Sequence, residues 1–332
     1  MKNIFLFFIV LIILFISAEK ILEMKGYKRF SPNDKQPEII PGGKFFRKDR
    51  DLGFAHISGK YKFVYPDGYQ FTVTNLENSF RVTHPLDTYN DESAKMDQIW
   101  IFGDSFVYGY SIDDDKTFSW LLQEKLPNFE IVNYGVSGYS TVGSLIQFKK
   151  ALEKNKKPKV IVVTYSYFHD QRNVFSRSWK KALWPSGKLG ALSYPYVFLD
   201  DEKKLHYLTG KVQYIEFPFA RKFRLINTLD DKLNRFVDEI SNSHEVTKAL
   251  LREFYDEAVR NNIKVIFATF YNDPISKDNS IYAKNLGMAT IDISVDYSDK
   301  RFTNLPHDAH PSAFANQIYA EKLGAEIEQV LK

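Results

Sequence analysis

At 332 residues the chain can hold one large α/β domain with additions, or two modest domains. Its 44% hydrophobic and 16% aromatic content allows a substantial core, while a net charge of +4, from 45 basic residues scattered among 41 acidic ones, leaves no nucleic-acid footprint. There is no cysteine, which excludes disulfides and thiolate metal sites.

Lys2 precedes an uninterrupted apolar run from Ile4 to Ile16, and Ser17-Ala18-Glu19-Lys20 follows. A positive end plus a short apolar run has the form of an export signal. The run falls below the roughly 18 residues of a comfortable membrane span. Residues 1–18 are therefore expected to be a signal peptide or a membrane anchor, with contact to the membrane through residues 4–18 if uncleaved. The remainder is then exported, periplasmic or at the cell surface. Residues 19–44, with Pro32, Pro37 and Pro41, read as a tether. Residues 45–95 read as a β-rich annex, whose signature is the pair Lys60–Tyr65 and Tyr69–Thr74 around a Pro66-Asp67-Gly68 turn.

After Lys95 strand and helix patterns alternate. Strands are expected at Gln98–Phe102, Glu130–Tyr134, Val160–Tyr165, Lys264–Phe270 and Met288–Val295, and helices at Thr117–Leu126, Ser140–Glu153, Glu245–Asn261 and from Ser312 onward. This rhythm implies a parallel sheet with right-handed crossovers, an α/β domain over residues 96–332. Residues 178–242 break the rhythm and read as an insertion.

The first core strand ends abruptly in Gly103-Asp104-Ser105, which puts the Ser105 hydroxyl on the turn from strand to helix. The first helical turn there offers unpaired N–H groups to a developing oxyanion. A serine hydroxyl needs a base, and His310 in Asp308-Ala309-His310-Pro311-Ser312 is the candidate, with Asp308 to fix its tautomer. Oxyanion donors are expected from Ser105, from Gly138 in Gly135-Val136-Ser137-Gly138, and from the ring of His169. A packed loop histidine is the other reading of His169. Phe106, Tyr108, Tyr110, Tyr139, Tyr165, Tyr167 and Phe168 crowd these loops, either as core or to stack on a sugar ring. Asp104, Asp170, Asn272 and His307 are lesser site candidates. No helical His spacing suits a zinc ion, a metal would leave Ser105 unexplained, and no cofactor is expected.

Together Gly103-Asp104-Ser105, Asn133-Tyr134-Gly135-Val136-Ser137-Gly138-Tyr139-Ser140 and Asp308-Ala309-His310-Pro311-Ser312 resemble the first, second and last blocks of the SGNH, or GDSL, hydrolase superfamily. The resemblance covers Gln98 to about Asn173 and Lys264 to the end. It implies a three-layer α/β/α sandwich with a five-stranded parallel sheet, flavodoxin-like, and ester hydrolysis on lipids or sugars. Two departures stand out. The third block normally carries Gly-x-Asn-Asp, whereas this chain has Tyr167-Phe168-His169-Asp170; Tyr271-Asn272-Asp273 offers an Asn-Asp pair one strand later. The family's acid usually lies three residues before its histidine, a place held here by His307, while Asp308 is two before. Three functions follow as alternatives: an ester hydrolase on an acylated glycan, an O-acyltransferase to a polysaccharide, or a non-catalytic glycan-binding protein on a decayed hydrolase fold.

Overall fold

The computed structural model describes residues 2–31, 37–89, 95–154, 156–183 and 192–332. Parts of the expected tether, annex and insertion lie outside the described residues.

The first element, α1 (Lys2–Met24), runs past the expected boundary at Ala18. Ser17 and Ala18 do not break a helix, and the chain turns out only at Gly26, whose φ of +78° closes the helix end with Tyr27 N–H donating to Leu22 O at 3.0 Å. The segment Asn3–Met24 is thus long and apolar enough to cross a membrane, with a mean hydropathy of 2.6 over an 18-residue window. The start of the expected tether is therefore helical, and its end contains strand β1 (Glu38–Ile40).

The annex continues with β2 (Phe46–Asp49), β3 (Gly53–His56), β4 (Gly59–Val64) and β5 (Gln70–Asn75). The β4–β5 hairpin forms where the sequence placed it, and β1 adds antiparallel to β4. Phe45, Phe63, Phe71 and Val73 make its core, and Tyr108 enters that core from the helix that carries Ser105.

The α/β domain then runs β6 (Asp97–Phe102), α2 (Ser105–Tyr108), α3 (Phe118–Lys125), β7 (Phe129–Asn133), α4 (Thr141–Lys154), β8 (Val160–Tyr165) and α5 (His169–Asn173). The region read as an insertion holds α6 (Arg177–Leu183), the antiparallel hairpin β9 (Ser193–Leu199) and β10 (Leu205–Lys211), and α7 (Arg224–Glu239). The chain closes with α8 (Ser243–Arg260), β11 (Lys264–Thr269), α9 (Pro274–Leu286), β12 (Ala289–Asp292) and α10 (Ala313–Leu331). The sequence pattern gave no helix between β11 and β12. Its start and stop signals are nevertheless present: Asp273 caps it, Pro274 opens it, and Gly287 at φ +106° ends it.

The five core strands are parallel in the order β12-β11-β8-β6-β7. Strand alternation sorts their side chains onto two faces. Trp100, Phe102, Ile161 and Val163 pack with Leu145, Phe148 and Phe254 of α4 and α8 on one side. Ile99, Ile101, Val160 and Val162 pack with Leu122, Tyr319 and Leu323 of α3 and α10 on the other. The result is a three-layer α/β/α sandwich. The order reverses between β6 and β8, and the carboxyl ends at such a switch point are where open α/β sheets bind ligands.

By compactness the chain divides into two units, one of Met1–Asp34, Ser176–Lys188 and Val212–Ser241, the other of Lys35–Phe175, Leu189–Lys211 and Asn242–Lys332. The second unit contains the sheet, the annex and all the candidate site residues.

Within that unit Arg81 joins annex to core. Its fully buried guanidinium donates to Asp114 Oδ1 at 2.9 Å, to Thr72 O at 3.2 Å, to Tyr108 O at 3.1 Å, to Ile112 O at 2.7 Å and to Gly109 O. Arg81→Met is expected to strand these acceptors and cost about 3 to 5 kcal/mol, read as a loss in denaturant midpoint. A midpoint equal to the wild type would show that this network carries no net stability.

Candidate active site

Ser105 stands at the first position of α2, directly beyond β6, because Asp104 caps the helix: its Oδ1 accepts the Phe106 N–H at 2.9 Å. The loop after β7 packs tightly under this turn. A Cβ on Gly135 would sit 2.4 Å from Tyr108 N, so only glycine fits there. The Gly135 N–H is taken by Asn133 Oδ1 at 2.9 Å, a turn role. Gly138 lies at φ +90°, and among the described residues neither its N–H nor that of Ser105 is given to a protein acceptor.

Ser105 Oγ lies 2.9 Å from His310 Nε2, and His310 Nδ1 lies 2.5 Å from Asp308 Oδ1. The shortened spacing works through an Asx turn. Asp308 Oδ1 also accepts the backbone N–H of His310 at 2.8 Å, which folds the carboxylate back against the ring two residues on. Burial opposes charge on Asp308 most strongly, yet the hydrogen bonds and charge of His310, with the Tyr65 hydroxyl, outweigh it and lower its pKa. An ionised Asp308 only accepts, which assigns the proton to Nδ1 and leaves Nε2 to accept from Ser105. The three groups therefore form one hydrogen-bonded line that can pass the serine proton to an imidazole.

The sequence reading missed Tyr65, which follows β4. Its hydroxyl donates to Asp308 Oδ2 at 2.9 Å. Burial, then Tyr110 and Asp308, push its pKa far above the ordinary tyrosine value, so it remains a donor. No local motif marks this residue, because its partner is 243 positions away. Tyr110 packs its ring against His310 with centroids 4.9 Å apart, and Phe106 does so at 5.8 Å.

His169, expected as a third oxyanion donor, turns its Nε2 to Asp104 Oδ2 at 3.2 Å instead. The reason is electrostatic. Asp104 is fully buried, and a carboxylate there must be paired. Arg172 completes the pairing at 3.2 Å and also donates to Tyr139 O at 2.8 Å. Burial resists the charge on Asp104 most strongly, but the His169 hydrogen bond and charge, then Arg172 and the Phe106 N–H, bring its pKa from 3.8 down to about 2.

The other candidates lie elsewhere. Asp170 is buried and accepts from Tyr165, Thr247 and His244 at 2.7, 2.6 and 3.0 Å, which ties α5 to β8 and α8. Asn272 is exposed on the loop after β11, away from any hydrogen bond to Ser105 or His310. His307 bonds Asp67 at 2.8 Å and stacks on Tyr69 with centroids 4.7 Å apart, so it fastens the annex turn to the His310 loop. Of the aromatic residues, Tyr108, Tyr139 and Tyr165 are core, whereas Tyr167 is 45% exposed and meets Tyr271 with centroids 5.0 Å apart.

No family model matches the chain, and a search of curated proteins returns no match. Among solved structures it is similar to a protein described as lipolytic, of the G-D-S-L family, from Desulfitobacterium hafniense DCB-2, with 14% identity over 69% of this chain and 98% of that one, and a TM-score of 0.39. A lipolytic G-D-S-L family member from Veillonella parvula DSM 2008 is 14% identical over 68% of this chain and 94% of that one, with a TM-score of 0.37. A gut microbial diltiazem-metabolizing enzyme is 12% identical over 70% of this chain and 47% of its own length, with a TM-score of 0.31.

Two substitutions test the electrostatics. Tyr65→Phe removes a donor to the carboxylate, so Asp308 should titrate at higher pH in a carbon-13 carboxyl spectrum; an unchanged titration would reduce Tyr65 to packing. For Asp104 the folded pKa of about 2 lies below 3.8, so its contribution is present above pH 3.8 and is lost as pH falls toward 2. The depression corresponds to about 2 kcal/mol. Asp104→Asn should flatten the acid-stability curve in that window, and a wild-type slope would contradict the assignment.

Proposed function

We propose that the chain is a serine-dependent carboxylic ester hydrolase acting outside the cytoplasm, with O-acetyl groups on a glycan as its substrate class. The observation that carries the reading is the line from Ser105 through His310 to Asp308. In the reaction Ser105 Oγ attacks the acyl carbon while His310 Nε2 takes its proton. The negative oxygen of the tetrahedral intermediate faces the Ser105 and Gly138 N–H groups. Collapse expels the sugar alcohol, which takes the proton back from His310, and leaves an acyl-serine. Water, deprotonated by the same imidazole, then releases the carboxylate and restores the serine. Asp308 holds the ring and offsets the charge it gains in both half-reactions, with Tyr65 holding Asp308.

The exposed ring of Tyr167 and the half-buried Tyr271, beside Phe168 and Phe106, support a sugar as the alcohol part, since sugar rings stack on such surfaces. The same surface also supports the second reading, an O-acyltransferase in which a polysaccharide hydroxyl replaces water. The helix Asn3–Met24, long and apolar enough to cross a membrane, supports a membrane anchor.

Ser105→Ala is expected to lower turnover of small acetyl esters by at least about a thousandfold while the thermal transition stays in place. Wild-type protein should also take up a fluorophosphonate at Ser105. Full activity in the variant, or no labelling of the wild type, would overturn the reading. Acetate counted free in solution against acetate found on a glycan acceptor separates hydrolase from transferase.

A further inference from the structure

The unit that contains α1 is built inside out. Helix α7 buries Asp230 and Asn234 while leaving Leu229, Leu233, Phe236, Val237 and Ile240 in the open, Phe236 at 59% and Ile240 at 70% exposure. At 100° per residue these five apolar side chains fall on one stripe, the arrangement of an amphipathic helix whose apolar face points outward. The inward face is held by polar chemistry. Asp230 accepts from Arg177 at 3.0 Å, from Lys181 at 2.9 Å and from the Tyr214 hydroxyl at 2.5 Å, and Asn234 donates to that hydroxyl at 2.9 Å. Burying such a network costs desolvation, which a helix in water avoids by turning its apolar stripe inward.

What covers the stripe is indicated by where α7 begins. Glu19, just beyond the apolar run of α1, accepts the first backbone N–H groups of α7, Arg224 at 3.1 Å and Leu225 at 2.6 Å. Phe15 packs edge-on against Phe223 with centroids 5.0 Å apart, and the Arg224 guanidinium pairs with Glu23 at 2.8 Å. The N-terminus of α7 is thus fixed to the helix long and apolar enough to cross a membrane, at the point where that helix turns polar. Phe219 lies just upstream, 62% exposed on a backbone at φ +69°, which non-glycine residues seldom adopt. Along one border of the stripe Lys232, Glu239 and Arg235 are exposed in turn, and the two cations carry the charge that anionic headgroups take.

We propose that α7 lies in the membrane interface, with its apolar stripe set into the acyl chains of the bilayer that α1 crosses. This rests on the anchor reading of α1 and adds a second, lateral contact with lipid. It assigns Leu233, Phe236 and Ile240 as lipid-facing residues and Lys232 and Arg235 as headgroup contacts.

The natural chain has no cysteine, so single cysteines report one position each. The full chain carrying Leu233→Cys, Phe236→Cys or, as an aqueous reference on α10, Glu328→Cys is labelled with a polarity-sensitive dye and reconstituted in phosphatidylcholine–phosphatidylglycerol vesicles. Dyes at 233 and 236 should emit to the blue of the reference and be quenched severalfold more by acyl-chain spin-labelled lipid. Equal quenching at all three positions, on protein that floats with the vesicles, overturns the interfacial helix and leaves the anchor intact. A blue shift without lipid quenching means that protein covers the stripe, which also overturns it. Protein that fails to float overturns the anchor reading and this proposal with it.

Discussion

The buried carboxylate of Asp104 is the point on which the site is assembled. One oxygen caps α2 and so fixes the first helical turn beneath Ser105. The other draws in His169 from α5 and Arg172, and Arg172 in turn holds the carbonyl of Tyr139 in the loop after β7. Three segments far apart in sequence are joined through a single ion that has no access to water. Each must be correctly placed for the charge to be tolerated, because an unpaired buried carboxylate costs several kcal/mol. The histidine in the third block follows from this constraint. It serves the aspartate beside the serine, and in the proposed reaction the oxyanion is left to the backbone of Ser105 and Gly138.

How much of this the sequence disclosed depends on the range of the interaction. The strand-to-helix turn at Gly103-Asp104-Ser105 is local, and so is the pairing of Asp308 with His310; both were readable from residue types a few positions apart, whereas the Asx turn that lets the two-residue spacing work was not. The sheet was readable because its central strand β8 is buried on both faces and forms a continuous apolar run, with helices alternating on either side of it in the chain. Tyr65 was not readable, since a tyrosine in a β-hairpin is indistinguishable from its packing neighbours until the fold brings Asp308 to it. His169 could be placed on the right loop, but the competition between two acceptors for its nitrogen is a three-dimensional matter. Helix α7 was overlooked for a different reason. It lies inside a segment that breaks the strand–helix rhythm and reads as an insertion, where an apolar period is masked by aromatic and lysine-rich surroundings.

The annex acquires a function from these contacts. Tyr108, three residues beyond the serine, completes its core; Arg81 binds the carbonyls that follow α2; Tyr65 and the Asp67–His307 pair hold the loop of Asp308 and His310. A hairpin that looks appended in sequence thus grips both ends of the hydrogen-bonded line. The parallel sheet supplies the positions of Ser105 and His310, and the annex restricts how far they can drift.

Two carboxylates stand near the serine, Asp104 fully buried and Asp308 partly exposed, and their partners differ in a way that separates their roles. Asp104 is paired with an arginine that never loses its proton, so its surroundings stay balanced whatever happens at Ser105. Asp308 is paired with His310, whose charge in the proposed reaction appears only while the serine proton is held on the imidazole. A permanent cation beside Asp308 would neutralise it in advance and leave less field to stabilise that imidazolium. A neutral phenol hydroxyl does not. Tyr65 can orient the second oxygen of Asp308 without offsetting its charge, which is the property a carboxylate needs if it is to respond to a positive charge that comes and goes.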